Sequence, residues 1–189
     1  MGIWPAIQAD FQLQTPRLRL RCPCKEDAPQ IAELAGDNDV AEMTATIPHP
    51  YPEGVAKAFV ARARESALLG HDLTLMITLG DDEATVVGLV SARPGPSDCA
   101  SIAYWIGRRY WGRGIATEAV SAMLALIFSR TATRAVITNA RVTNPASVRV
   151  LEKCGFRRIG MSEQRFPARG RVLPVEQFRI ERERQSLGR

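Results

Sequence analysis

The segment from Tyr104 to Ala119 constrains this chain more than any other. Cys99 to Gly107 is strand-like and rich in Ile, Tyr and Trp, Thr117 to Ser129 has a helical repeat, and a turn with two glycines, Gly112 and Gly114, joins them. In such a turn the backbone N–H groups and those of the helix start point the same way, and the helix dipole adds partial positive charge, which favours a phosphate. Gly112 and Gly114 remove side chains that would block close approach, and Arg109 and Arg113 supply fixed charge. A P-loop is excluded because no Gly-Lys-Ser/Thr ending is present. A dinucleotide fingerprint is excluded because Thr117 stands where a third small residue is needed and no acidic residue lies near Thr138. On these residues alone, a tight turn that holds no ligand remains an equal reading.

The rest of the chain builds a sheet around this turn. Arg17 to Arg21 alternates with Leu18 and Leu20 as a half-exposed strand, Lys25 opens a helix that runs to about Gly36, and a second helix starts near Pro52 with Val55, Phe59 and Ala63 facing inward. Leu73 to Leu79 and Ala84 to Val90 form an antiparallel pair around a turn at Gly80-Asp81-Asp82-Glu83. Val120, Met123, Leu124 and Ile127 form a core stripe on the helix after the glycine turn, and Ala135 to Val142 returns as a parallel strand by a right-handed crossover. Asn144 caps a short helix that Gly155 ends, and Phe156 to Gly160 and Val172 to Glu181 supply the last strands. The expected fold is α/β in the broad, α+β sense, one domain over residues 1–189 with its core at about 15–182 and a short frayed segment at each end.

A chain of 189 residues, 46% of them hydrophobic, buries enough surface to fold without a metal or a disulfide. Cys22, Cys24, Cys99 and Cys154 do not cluster with histidine at zinc-ligand spacing, so no metal site is expected, and Cys22-Pro23-Cys24 lacks the two intervening residues of a redox pair. His49 and His71 are too few for a site built on several imidazoles. The longest apolar stretch, Ala119 to Phe128, is broken by Ser121 and falls short of the roughly 20 residues that cross a bilayer. Met1-Gly2-Ile3-Trp4-Pro5 has no basic region, and Ala6 stands where myristoylation needs Ser or Thr, so no membrane partner and a cytoplasmic address are expected. Charge is divided: residues 1–98 hold 8 Lys or Arg against 14 Asp or Glu, and residues 99–189 hold 17 against 6, so net −6 faces net +11. Anions should go to the second half. The acidic first half is either a solvated surface or a face for a basic peptide.

Arg109-Tyr110-Trp111-Gly112-Arg113-Gly114, set beside Asn144-Pro145-Ala146-Ser147-Val148-Arg149-Val150-Leu151-Glu152-Lys153-Cys154-Gly155-Phe156, resembles the GNAT superfamily of acetyl-coenzyme A-dependent N-acetyltransferases. The second run, with Thr15 to Arg21 and Pro48-His49-Pro50-Tyr51-Pro52, is most similar to the branch that acetylates N-terminal amines of ribosomal proteins. The resemblance implies a mixed central sheet, antiparallel in its N-terminal half, then a splayed parallel pair, with helices on both faces. It implies acetyl-CoA as cosubstrate and no metal. Trp105, Ile106 and Gly107 would offer backbone groups to pantetheine. Arg109, Tyr110, Trp111, Gly112, Arg113, Gly114, Ile115, Ala116 and Thr117 would hold the pyrophosphate. Asn144 would lie near the pantetheine amide, Ser147 near the sulfur as proton donor, and Lys153 on the cofactor side of the same helix. Phe156 and Phe166 lack the hydroxyl that other branches place beyond this helix. Cys154 as an acyl-carrying nucleophile is the rival, without a basic partner nearby.

One departure from the family pattern matters. Where the branch often carries a glutamate in the strand before the turn, this chain has Ser101, in Ala100-Ser101-Ile102-Ala103-Tyr104-Trp105. Deprotonating a lysine of pKa about 10.4 near pH 7.4 costs roughly 4 kcal/mol, whereas an α-amine of pKa about 7.8 costs roughly 0.5 kcal/mol. The expected acceptor is therefore a low-pKa amine, a protein N-terminus, deprotonated through water held by Ser101 with His49 or Tyr104. A small amine such as an antibiotic, amino acid or polyamine is the alternative acceptor. A non-enzymatic coenzyme A-binding module is a third reading. A nucleic-acid partner is disfavoured because only Tyr110 and Trp111 interleave with arginines. The resemblance also leaves a homodimer open.

Overall fold

The computed structural model describes residues 7, 8, 10–80 and 82–182. The readings made on Met1 to Ala6, on Asp81 of the expected hairpin turn and on the C-terminal end segment lie outside these residues.

Eight strands form one sheet in the order β1-β2-β3-β4-β5-β6-β8-β7. They are β1 (Gln12–Gln14), β2 (Leu18–Arg21), β3 (Leu73–Leu79), β4 (Asp82–Pro94), β5 (Cys99–Ile106), β6 (Ala135–Arg141), β7 (Arg157–Phe166) and β8 (Arg171–Glu181). The helices are α1 (Ala28–Gly36), α2 (Asn38–Glu42), α3 (Val55–Leu68), α4 (Ile115–Arg130) and α5 (Pro145–Lys153). The expected mixed sheet is present: β1 to β5 pair antiparallel, β5 and β6 pair parallel across α4, and β8 returns antiparallel to β6.

Alternation decides which face each side chain takes. Leu18 and Leu20 of β2 are fully buried while Arg19 and Arg21 are half-buried, and the stripe Val120, Met123, Leu124 and Ile127 of α4 packs into the same core. A second, smaller core on the opposite face joins Ile31 and Leu34 of α1 and Val60 of α3 to Met76 and Leu89 of the sheet. Helices therefore cover both faces. Helix α5 ends as expected: Gly155 sits at φ +86, its amide bonds Glu152 O at 3.0 Å, and the Phe156 amide reaches Leu151 O at 3.0 Å. These two bonds close the last turn, with Leu151 and Phe156 both buried beside it.

Several expectations need correction. α3 starts at Val55 rather than Pro52, because Gly54 at φ +80 breaks the chain direction just before it. Its buried face is Ala56, Val60, Ala63 and Ala67, one residue round from the expected set, and Val55 and Phe59 are half-buried at the rim of a cleft. The helix expected from Lys25 begins with a 3₁₀ turn, and α4 starts two residues early, at Ile115. β7 extends to Phe166, well beyond Gly160.

Candidate active site

β5 and β6 pair for only three residues, Cys99 with Ala135, Ala100 with Val136 and Ser101 with Ile137, and then part. At the fork the Thr138 hydroxyl donates to Ile102 O at 2.8 Å, replacing the ladder bond that a paired strand would make. Past the fork a cleft of about 1030 Å³ passes through the sheet, lined from one face by Ser101, Ala103 and Trp105 and from the other by Tyr104, Ile106 and Thr138. From the fork to the end of β5 the opening runs about 16 Å at the rise of an extended chain.

Of the backbone groups of Trp105, Ile106 and Gly107, only those of Ile106 turn to the opening. Trp105 lies opposite Leu89 of β4, and the Gly107 amide bonds Val87 O at 2.9 Å, on the closed side. The Ile106 carbonyl takes the Trp111 Nε1–H at 2.6 Å, so the indole folds back over the strand end. By the same alternation Tyr104 also directs its backbone to the gap.

The turn then presents its amides. Gly112 and Gly114 sit at φ +74 and +75, where a side chain strains the backbone, and a Cβ on Gly112 would meet nothing within 4 Å. Gly114 caps α4 without a side chain, so the amides of Ile115, Ala116 and Thr117 are first-turn donors with no intrahelical acceptor. Arg109 is held by Glu33 at 2.7 Å and Arg108 by Asp39 at 3.0 Å, whereas Arg113 stacks over the Tyr110 ring at 5.7 Å and has no ion pair among the described residues. Arg17 braces the turn from below. Its guanidinium bonds Arg113 O at 3.0 Å and pairs with Glu118 at 2.7 Å, and Thr15 donates to the same carboxylate at 2.6 Å. Burial works against ionising Glu118, but the bonds from Thr15 and Arg17 outweigh it and hold its pKa below the ordinary glutamate value.

On the α5 side Asn144 Oδ1 accepts the Ser147 amide at 3.0 Å, the expected cap, and its amide donors stay available. The Ser147 hydroxyl lies 2.9 Å from the Tyr104 phenol. Burial pushes the Tyr104 pKa up to about 12, against the lowering effect of the Ser147 bond, so the phenol keeps its proton across the neutral range. Lys153 lines the cleft as expected, and Arg149, one turn earlier on α5, lines it too. Cys154 does not line the cleft: burial raises its thiol pKa despite bonds to Ser121, and its thiol donates to Thr117 O at 3.5 Å.

The structure does not bring Ser101, Tyr104 and His49 together. Ser101 and Tyr104 are three residues apart on one strand and face opposite sides of the sheet. His49 is exposed, does not line the cleft, and bonds Gly36 O through Nδ1 at 3.0 Å. Residue parity would have separated the first pair from the sequence alone. The Thr138 bridge and the Arg17–Glu118 brace carried no local signal, since the latter joins residues 101 apart. Among the described residues, no carboxylate or imidazole lines the cleft, whereas Arg62, Arg93, Arg113, Arg141, Arg149 and Lys153 do. Several acidic side chains of the first half pair with arginines: besides Glu33 and Asp39, Glu42 holds Arg141 at 2.8 Å and Arg169 at 3.3 Å. No group of His, Cys, Asp and Glu among the described residues is arranged to hold a metal, and no helix there is long and apolar enough to cross a membrane.

Comparison with known proteins agrees with this geometry. Residues 17–157 match the family model described as acetyltransferase (GNAT) domain. A protein of Bacillus licheniformis named uncharacterized N-acetyltransferase p20 is 26% identical over 177 residues, covering 89% of this chain and 94% of that protein. Among solved structures, the ribosomal-protein-S5-alanine acetyltransferase of Vibrio fischeri superposes with a TM-score of 0.78 at 19% identity, covering 93% of this chain and 98% of that one. RimL, a ribosomal α-N-protein acetyltransferase solved with coenzyme A, gives a TM-score of 0.78 at 19% identity, with 90% and 98% covered. At such identities the structures establish a shared fold.

Proposed function

The chain belongs to the acetyltransferase (GNAT) domain family, and from that premise we propose that it transfers an acetyl group from acetyl-CoA to an amine of low pKa, the N-terminal α-amine of a protein. The observation that carries this reading is a cleft through the sheet that has amide donors at one end and, among the described residues, neither carboxylate nor imidazole along its walls. The ribosomal substrates named for RimL and for the Vibrio fischeri enzyme support an N-terminal acceptor.

The residues present fit coenzyme A. Open space above Gly112, the first-turn amides of α4 and the cation of Arg113 would take the diphosphate. The gap-facing backbone of Tyr104 and Ile106, with the Asn144 amide, would take the pantetheine arm. Acetyl-CoA supplies the activated acyl group and a thiol leaving group. Ser147 would give its proton to the departing sulfur, Tyr104, protonated and in contact with it, would pass one to Ser147, and the proton that the amine sheds on forming the amide would restore the pair. Ser101 would hold water through its hydroxyl and would take no proton at neutral pH. With no carboxylate or imidazole lining the cleft among the described residues, the amine is to arrive neutral, which costs an α-amine roughly 0.5 kcal/mol and a lysine roughly 4 kcal/mol near pH 7.4.

The test is a mass-shift assay on N-terminal peptides beside lysine, polyamines and aminoglycosides, run from pH 6.5 to 9. Peptide α-amines are expected to react already at pH 6.5, to gain about sevenfold by pH 7.5 and to level off above their pKa of about 7.8, whereas lysine rises about tenfold per pH unit throughout. Good turnover of lysine or a polyamine at pH 6.5, with peptides inert, contradicts the reading.

A further inference from the structure

The cleft has two ends of different construction, and the one away from the glycine turn says what the acceptor carries. Ser91 and Arg93 of β4 lie opposite Ala103 and Ser101 of β5, so these four side chains share one face of the sheet at the fork. Thr74 of β3 lies opposite Ser91 and extends the same floor. Arg62 stands over it from α3, two turns on from Val55 and one from Phe59, both of which line the cleft. An arm lying in the gap from the glycine turn runs toward the fork, so its reactive end has Ser147 of α5 on one face of the sheet and meets this floor on the other.

Every charged side chain lining that end is a cation. Arg141 is already engaged: its side chain is 12% exposed, bonds Glu42 and packs over Phe166 at 5.7 Å. Arg93 is 66% exposed and has only a loose contact with Asp72 at 3.9 Å, and Arg62 is exposed with no ion pair among the described residues. The neutral floor of Thr74, Ser91 and Ser101 offers hydroxyls and no negative charge.

We propose that Arg62 and Arg93 select the acceptor by pairing with a carboxylate close to its amine, so that the preferred substrate is an N-terminus followed at once by acidic residues. This rests on the N-terminal reading above. A basic peptide, the partner that the charge of the first half suggested, meets like charge here and is excluded by it. The amine itself faces Ser101 across from Arg93, at the spacing of a cross-strand pair, so a carboxylate one or two residues on reaches either guanidinium while the amine stays at the fork.

The experiment uses three peptides that begin with serine and continue with two aspartates, two asparagines or two lysines, assayed with the wild-type protein and with Arg62→Glu and Arg93→Glu. Both arginines are exposed, so the variants should fold. Wild-type kcat/KM is expected to fall about tenfold at each step from aspartate to asparagine to lysine, mostly through KM, and the steps should shrink as salt rises. Each charge reversal should narrow or invert the order by raising KM for the aspartate peptide and lowering it for the lysine peptide, a split that a merely structural arginine would not give. Equal rates on the three peptides, or a preference for lysine, overturns this proposal and leaves N-terminal acetylation standing. If no peptide reacts but small amines do, the N-terminal reading fails, and glutamate against glutamine becomes the same charge test: no advantage for glutamate overturns the proposal. Turnover of no amine at all overturns both.

Discussion

Strand β5 has two edges made from the same residues, and they behave oppositely. Against β4 it pairs over seven positions, from Ala100 opposite Pro94 to Ile106 opposite Gly88, while against β6 it pairs over three and then opens. Sheet propensity is not the cause, because Ile102 to Ile106 is rich in Ile, Tyr and Trp. The difference lies in what meets the backbone. On the closed edge Gly88 lets Trp105 approach so closely that a Cβ there would stand 2.3 Å from its carbonyl oxygen. On the open edge the Thr138 hydroxyl takes the Ile102 carbonyl, Trp111 takes that of Ile106, and Tyr104 is tied to Ser147 of α5. Side chains that satisfy the backbone in place of a neighbouring strand hold a binding gap open inside a sheet.

Breaking the closed edge should cost most. Gly88→Ala puts a methyl group against backbone that cannot retreat, and a loss of about 3 kcal/mol is expected, read as a drop in Tm or in the denaturant midpoint. A near-neutral effect would mean that the two edges are equally pliable. On the open edge Tyr104→Phe leaves packing intact and removes the proton reserve behind Ser147. Turnover is expected to fall about tenfold or more while coenzyme A affinity is held, as measured by steady-state kinetics beside calorimetric titration. Thr138→Val leaves the Ile102 carbonyl without its donor. The expected stability loss is about 1 kcal/mol, smaller than that of Gly88→Ala and accompanied by faster amide exchange around the fork.

The smallest effect concerns the brace under the turn. Because bonds from Thr15 and Arg17 depress the Glu118 pKa in the folded chain, its contribution is present above the ordinary glutamate value and is lost as pH falls through the lower folded value. The difference in Tm between wild type and Glu118→Gln should therefore be widest at neutral pH and close in the acid range. A difference that is constant with pH would contradict the ionic role of this carboxylate.

What could be read from the sequence was local. The Gly112 and Gly114 turn, the α4 stripe and the Asn144 and Gly155 caps each depend on residues within a turn or two of one another, so spacing alone exposes them. The fork depends on Thr138 meeting Ile102 across 36 residues, and the brace on Arg17 meeting Glu118 across 101, distances at which a single sequence carries no signal. The length of β7 is not legible because beyond Gly160 it is an edge strand whose residues up to Arg165 are exposed or half-buried on both faces, such as Met161 at 58% exposure, and show no apolar alternation. The charge asymmetry was visible, but its resolution was not: acids of the first half pair with Arg108, Arg109, Arg141 and Arg169 of the second, leaving other cations of the second half, with Arg62 and Arg93 of the first, to line the cleft.

The central claim is that the parted edge of β5 is the path of the acyl donor. A crystal structure of the protein with acetyl-CoA tests it most directly. The account predicts the diphosphate on the amides between Gly112 and Thr117, and the pantetheine arm between β5 and β6 with its thioester near Ser147 and the fork at Ser101. A ligand lying outside the sheet, with β5 and β6 zipped together past Ile102, would contradict it.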